Sequence, residues 1–442
     1  MASLKIDFSR NDGKIKNMNS VNNGPVSSVR AFSNFNDYKA ARIPYARNHD
    51  ASFYSGFGGE FSVDVHRIFR DFDADVNDPA SYSFKSTDDY VKTTYEAGTK
   101  VFYRLGAAIE HYEKRGTFPP KDFQKWAEIC EHIVLHYTKG WANGFYYDME
   151  YWEIWNEADC RNRDGSNPCW QGTDDEFADL FLITLRHLKS KFPSLKIGGP
   201  AFAWQSGCME FIDKIFTRLN NEGLKLDFYS YHAYNCEIEK LVRDMRLAKE
   251  IVDKYGQSQA ELILNEWNYV KGWAGDDWAY TLRSEKGLKG ASFITGVMCA
   301  GQKEPLDMLM YYDARPCGMN GMFGTDTFEK LKGYYPIAYF SNLLDLGTYV
   351  KDECSENDIY ACAATNGKDG ALLLTYFNDD DSSAKKELDL TLEALPNNAR
   401  VCVYVLDKTR DMEKIMELTV NEFVKITLPV SVFDTYYVEI NA

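Results

Sequence analysis

No run of about 18 apolar residues occurs in this chain, which excludes a conventional transmembrane helix. The first ten residues, M-A-S-L-K-I-D-F-S-R, also lack the apolar stretch and cleavage site of a secretory signal, so a cytoplasmic location is expected. Positive charge is scarce. Fifty Lys and Arg stand against 66 Asp and Glu, for a net charge of -16, whereas binding a polyphosphate or an anionic membrane needs clustered Lys and Arg. Nucleic acid and membrane are therefore excluded as partners, and a neutral substrate fits better than a polyanionic one. Histidines number only seven, and the ten cysteines include no C-x-x-C pair and no Cys/His spacing suited to zinc. No metal or cofactor is expected, and the thiols should be reduced. Cys160 and Cys169 share one loop and would pair only if it folded back on itself, an uncommon event in a reducing compartment.

What is abundant is apolar and aromatic. Hydrophobic residues make up 45% of the 442, enough for a large core. Aromatics reach 15%, with 29 Tyr and 9 Trp, and their flat faces with polar tips suit sugars as well as ordinary cores. Between residues 21 and 346 short apolar strands alternate with amphipathic helices, the pattern of a parallel sheet. Strands are expected at 21–22, 43–47, 101–105, 151–155, 196–198, 228–231, 262–264 and 308–311. Helices are expected at 35–41, 88–97, 122–138, 174–191, 208–221, 238–255, 287–300 and 334–344; Thr173 and Glu176 form a capping box ahead of the fourth. Eight such units predict an α/β fold, a (β/α)8 TIM barrel with its active site at the C-terminal ends of the strands. Beyond residue 346 short strands at 359–364, 371–378, 387–392, 400–407, 423–428 and 435–440 predict an all-β sandwich. The expected organisation is a strand in residues 1–20 joining that sandwich, a barrel over 21–346 and an accessory sandwich over 347–442.

Two segments carry the chemistry, Y-W-E-I-W-N-E ending at Glu157 and L-I-L-N-E-W-N containing Glu266. Each reads as a buried strand delivering Asn-Glu to its end, on the fourth and seventh barrel strands. Buried carboxylates are costly without a purpose, and cleaving a glycosidic bond takes two, one as acid and one as nucleophile or base. Glu157 as general acid needs a raised pKa, to which Trp152 and Trp155 are expected to contribute an apolar wall. Glu266 must stay ionised, and Arg47 at the end of the second strand is the expected forked donor. His49 and His232, also at strand ends, are expected to donate to sugar hydroxyls or orient the nucleophile. Tyr234 is placed to bond Glu266. Trp204, Trp267, Trp273 and Trp278 follow strands five and seven, where indole rings would floor a sugar subsite or pack loops. Asp313 and Arg315 either grip substrate or pair with each other. The Gly-rich stretch 55–59 reads as a loop lining the mouth rather than a phosphate loop.

The W-E-I-W-N-E and N-E-W-N motifs, Arg47-x-His49 and His232-x-Tyr234 together resemble clan A of the retaining glycoside hydrolases, and within it glycoside hydrolase family 39, the β-xylosidases. That resemblance spans nearly the whole chain, including the β-rich tail. It implies Glu157 as acid/base, Glu266 as nucleophile, Asn156 as a donor to the sugar 2-hydroxyl, and self-association through the sandwich. It implies a retaining exo-glycosidase acting on a terminal neutral sugar of an oligosaccharide or glycoside. The chain departs from the xylosidases in having Asn265 where Thr commonly precedes the nucleophile, and in Y-Y-D-A-R-P after the last barrel strand. An arabinofuranosidase, or a silent carbohydrate-binding barrel, are the alternatives.

Overall fold

The computed structural model describes every residue except 1, 51–61, 112 and 163; the glycine-rich stretch 55–59 lies outside the described residues. A first strand, β1 (Ala2–Lys14), precedes eight that close into a parallel barrel: β2 (Asn17–Asn22), β3 (Tyr45–Arg47), β4 (Lys100–Leu105), β5 (Tyr151–Ile154), β6 (Lys196–Phe202), β7 (Phe228–Asn235), β8 (Glu261–Tyr269) and β9 (Met308–Tyr311). The ring shuts where β2 pairs in parallel with β9. Helices fill the crossovers as the apolar periodicity required. The Thr173 hydroxyl and the Glu176 carboxylate cap helix Asp174–Lys191 reciprocally, as expected. Helix Phe123–Lys139 starts on Asp122, whose carboxylate accepts from Gln124 and Lys125 amides. Two α-helices were not foreseen: the short Val65–Ile68, and Gly275–Glu285, whose opening G-D-D-W reads as a polar loop.

The remaining strands are β10 (Thr348–Cys354), β11 (Ile359–Thr365), β12 (Gly370–Tyr376), β13 (Lys386–Leu406), β14 (Asp411–Val430) and β15 (Thr435–Asn441). The expected two-layer sandwich is hydrogen-bonded as one continuous sheet that wraps back on itself. Strand β13 makes this possible: its first half pairs in parallel with β1, its second half antiparallel with β15, and β14 follows it throughout. The turn expected between 392 and 400 is absorbed as irregularities inside the long β13–β14 ribbon. Strand β1 also pairs antiparallel with β10, so the N-terminal segment sits within this sheet.

Strands β11 and β12 are buried on both faces, and period-2 alternation divides them between two cores. Ala361, Ala363, Leu372 and Leu374 belong to the sheet's own interior, whereas Cys362, Ala364, Ala371 and Leu373 join the barrel's core. Helix Leu288–Lys303 covers that outer face, with Ser292 Oγ 2.6 Å from Thr375 Oγ1 and the Phe293 and Phe377 rings 5.3 Å apart.

Candidate active site

The site is built around Arg47, wholly buried at the end of β3. Its guanidinium donates to four acceptors, Nε to Glu153 Oε2 at 2.7 Å, Nη1 to Glu266 Oε1 at 2.6 Å and to Asn22 Oδ1 at 3.2 Å, and Nη2 to Asn156 Oδ1 at 2.7 Å. A planar fork is the side chain that can do this at fixed angles. Asn156 Oδ1 is engaged by Arg47, and its amide nitrogen is buried without a partner among the described residues. Glu153 was not foreseen. Both its oxygens are used, the second accepting from Ser230 Oγ at 2.6 Å and Asn265 Nδ2 at 2.5 Å, so it is a structural carboxyl holding the arginine from below. A lone charged residue inside W-E-I-W was the available signal.

Neither carboxyl ends its strand as the sequence suggested. Strand β5 stops at Ile154, and Glu157 lies three residues on, in a left-handed conformation (φ 48°), with its amide donating to the Ala201 carbonyl at 2.9 Å. Strand β8 runs on past Glu266 to Tyr269. Between Leu264 and Glu266 its pairing with β7 slips, leaving Asn265 as the extra residue. A bulge of this kind re-aims side chains, and here it lets the neighbours Asn265 and Glu266 both reach the Glu153–Arg47 cluster.

The two catalytic candidates meet at His232. Its Nδ1 lies 2.7 Å from Glu157 Oε1 and 3.5 Å from Glu266 Oε2, and one atom from each of the three residues falls within 4.8 Å of the others. Burial drives the His232 imidazole below its ordinary pKa, with the Glu266 carboxylate opposing the shift. Burial pushes Glu157 up to about 7, with Arg47 opposing and Asp50 adding to the rise. Burial raises Glu266 too, but His232 and Arg47 oppose it, and Arg47 touches Glu266 directly. Tyr234 donates its hydroxyl to Glu266 Oε2 at 2.8 Å, where the sequence placed it. His49 Nε2 is 3.7 Å from Glu266 Oε1 and 3.5 Å from Asp50 Oδ1; burial holds this imidazole well below its ordinary pKa.

The other expected residues divide. Trp273 is 60% exposed, stacks on Trp278 at 5.5 Å and meets the Tyr234 ring edge-on at 5.2 Å, so it continues the site outward. Trp204 is also exposed, on the loop after β6, with its amide bonded to Asp159. Trp267 is a correction: fully buried, it packs on Tyr311 and Phe293 between barrel and helix, because beyond the bulge alternation turns it outward. Asp313 is corrected likewise, for it is buried and occupied by Arg315, whose Nη2 lies 3.0 Å away, and so is not free to grip a sugar. Arg315 also reaches Asp50, which accepts from the Tyr312 hydroxyl. Trp152 and Trp155 face the helix layer, against Tyr103, Trp126 and Trp170, rather than walling Glu157. Trp155 itself fits because Gly106 has no side chain: a Cβ there would stand 2.9 Å from the indole. A cleft of about 460 Å³ where barrel meets sheet, lined by Glu237, Asp358, Tyr360 and Phe377 among others, shares none of these residues.

Comparison with known proteins places this arrangement. The family model described as glycosyl hydrolases family 39 matches residues 41–265. A curated β-xylosidase from Caldicellulosiruptor saccharolyticus is 27% identical over 199 residues, covering 42% of this chain and 37% of that protein. This chain therefore matches little more than a third of that relative's length. A β-xylosidase from Geobacillus stearothermophilus is likewise 27% identical, over 40% of this chain and 36% of its own length. Among solved structures, a glucosidase from Croceicoccus marinus superposes with a TM-score of 0.81 at 19% identity, over 100% of this chain and 99% of that one. A β-xylosidase from Caulobacter crescentus gives 0.71 at 16%, over 100% and 99%. With a family match over half its length, running through Arg47 and Glu157 and ending one residue before Glu266, the chain belongs to glycosyl hydrolases family 39.

Proposed function

We propose that this protein is a retaining exo-glycosidase of β-xylosidase type, releasing a terminal neutral sugar by double displacement. The observation that carries the reading is the approach of a Glu157 and a Glu266 carboxylate oxygen to within 4.8 Å. Retaining enzymes hold their carboxyls about 5 to 5.5 Å apart, whereas inversion needs roughly 6.5 to 9.5 Å to admit a water. Glu266, paired with Arg47 and hydrogen-bonded by Tyr234, attacks the anomeric carbon. Glu157, raised to about 7 and with no Lys or Arg in direct contact among the described residues, gives its proton to the leaving oxygen. Loss of the aglycone leaves Glu157 as the base that deprotonates the incoming water. The linkage to His232 keeps one proton beside Glu157 through both half-reactions. The free Asn156 amide suits the sugar 2-hydroxyl, whose hydrogen bonds strengthen in the transition state.

The β-xyloside is the first candidate substrate because the curated relatives are β-xylosidases. A second reading keeps the chemistry and changes the sugar to an arabinofuranoside: Asp313 and Arg315 are paired with each other, so the segment after β9 presents a different surface from the one expected. The test is a panel of nitrophenyl xylosides, arabinosides, galactosides and glucosides, with a fluorosugar adduct located by mass spectrometry. Adduct on Glu266 and hydrolysis abolished in Glu266→Ala are expected. Equal rates in wild type and variant would instead indicate a binding protein, and an adduct elsewhere would overturn the assignment.

A further inference from the structure

Beside Glu157, on the side away from His232, lie two thiols that the glycosidase mechanism does not use. Cys169 Sγ is 3.8 Å from Glu157 Oε2, and one ligand atom each from Glu157, Cys160 and Cys169 falls within 4.8 Å of the other two. Both cysteines are free. The loop brings them together by separate devices. Cys160 follows Glu157 by one tight turn, its amide donating to the Glu157 carbonyl at 2.9 Å. Cys169 is returned across the loop by Asn167, whose side chain donates to the Ala158 carbonyl at 2.7 Å and accepts from the Cys169 and Trp170 amides at 2.8 and 2.9 Å. The Trp155 indole holds the Cys169 carbonyl at 3.0 Å. Glu157, Cys160 and Cys169 are thus held in place by backbone bonds formed for the loop itself.

We propose that Glu157, Cys160 and Cys169 form a binding site for a thiophilic divalent cation such as Zn²⁺, and that its occupation silences Glu157. Two sulfurs and a carboxylate oxygen are ordinary zinc donors at about 2.3 and 2.0 to 2.2 Å, and three protein ligands leave the fourth tetrahedral position for water. Donor atoms around such a centre stand about 3.8 Å apart, so a spacing of 4.8 Å or less closes with movements of about 1 Å. Thiol ligands exclude Ca²⁺ and Mg²⁺, which take oxygen. Cys169 is buried but Cys160 is half-exposed, giving an approach from the loop. The Asp159 carboxylate nearby, held by the Ala203 and Trp204 amides, adds negative charge. Binding replaces two thiol protons by the cation, so affinity rises with pH. A carboxylate bound to metal has no proton to give, and the acid step stops. The inhibition rests on Glu157 being the acid/base; the binding does not.

The experiment therefore reads binding first. The chelator-treated full chain is titrated with Cd²⁺, and the ultraviolet thiolate-to-cadmium charge-transfer band is followed. One equivalent with a two-thiolate band is expected in wild type. The band should be lost in Cys169→Ser and in Cys160→Ser, whose site is half-exposed and whose fold is checked by circular dichroism. Zn²⁺ should then lower aryl-glycoside hydrolysis at least tenfold in wild type and at least tenfold less effectively in Cys160→Ser. A band unchanged in both variants, or none in wild type, overturns the site. Zinc inhibition undiminished in the thiol variants but lost in His232→Ala would overturn it in favour of Glu157, His232 and Glu266, the other close triad. A chain that binds Cd²⁺ through these thiols yet hydrolyses no glycoside would keep the site and reject the proposed function.

Discussion

Replacing Arg47 by Met should destabilise the protein by an amount that grows with pH. Arg47 is fully buried and bonds Glu153 and Glu266 at 2.7 and 2.6 Å, and removing one partner of a buried ion pair costs about 3 to 5 kcal/mol because the other is left uncompensated. The variant has an escape: a carboxyl can take up a proton. Without the cation that opposes burial, the Glu266 carboxyl rises further above its unfolded value. A carboxyl whose folded pKa lies above its unfolded one contributes stability that is present below the unfolded pKa and lost as pH rises through the folded one. Each unit of pH in that window is worth about 1.4 kcal/mol per group, so the penalty in the variant should be larger near pH 8 than near pH 5.5. With an unfolding entropy of about 2.1 cal/mol/K per residue, a cooperative unit of this size moves its midpoint by roughly 1 °C per kcal/mol. Calorimetric scans of wild type and Arg47→Met at the two pH values, at one scan rate, are the assay. A depression of the midpoint that is equal at both would refute the reasoning, since it would mean that the lost arginine was packing rather than charge. Adding Glu266→Gln to the variant should flatten the pH dependence.

Glu157 should set the alkaline limb of kcat/KM near pH 7, because only its protonated form can give up a proton; Glu157→Gln should lose that limb and lower the rate most for poor leaving groups, and a limb that stays in the variant assigns it elsewhere. Tyr234→Phe removes one 2.8 Å bond to Glu266 and should lower kcat/KM by about 10- to 100-fold, the worth of a hydrogen bond to a charged group, with little change in melting. Trp273→Ala should raise KM for oligosaccharides while leaving stability within about 0.5 kcal/mol, as for an exposed side chain. Trp267→Ala should instead cost about 3 to 5 kcal/mol as a core truncation, and matching phenotypes for the two tryptophans would contradict their placement.

The barrel was legible because its crossovers are periodic and its motifs mark strand ends. That Glu157, Glu266, Arg47 and Tyr234 come together followed from the same strand count, since residues at the mouth of neighbouring strands converge whatever their exact register. Register is what the sequence hid. Strict alternation cannot point both Asn265 and Glu266 inward; the slip after Leu264 does so and sends Trp267 to the helices. Glu153 was masked by the tryptophans around it, although a carboxyl inside an apolar strand signals an inward partner. Asp313 and Arg315 could be read as ligands or as a pair, and only distance decides for the pair. The sheet's closure depends on which half of β13 meets β1, a long-range pairing with no local signature.

Strands β11 and β12 act as a party wall. One row of their side chains furnishes the sheet and the other furnishes the barrel, so neither body owns a finished surface there. A chain cut at Gly347 would leave Phe293, Cys299 and the rest of helix Leu288–Lys303 facing water, and the sheet alone would show Cys362 and Leu373. The catalytic half cannot be inherited, swapped or expressed as a separate piece without a new lining for that wall.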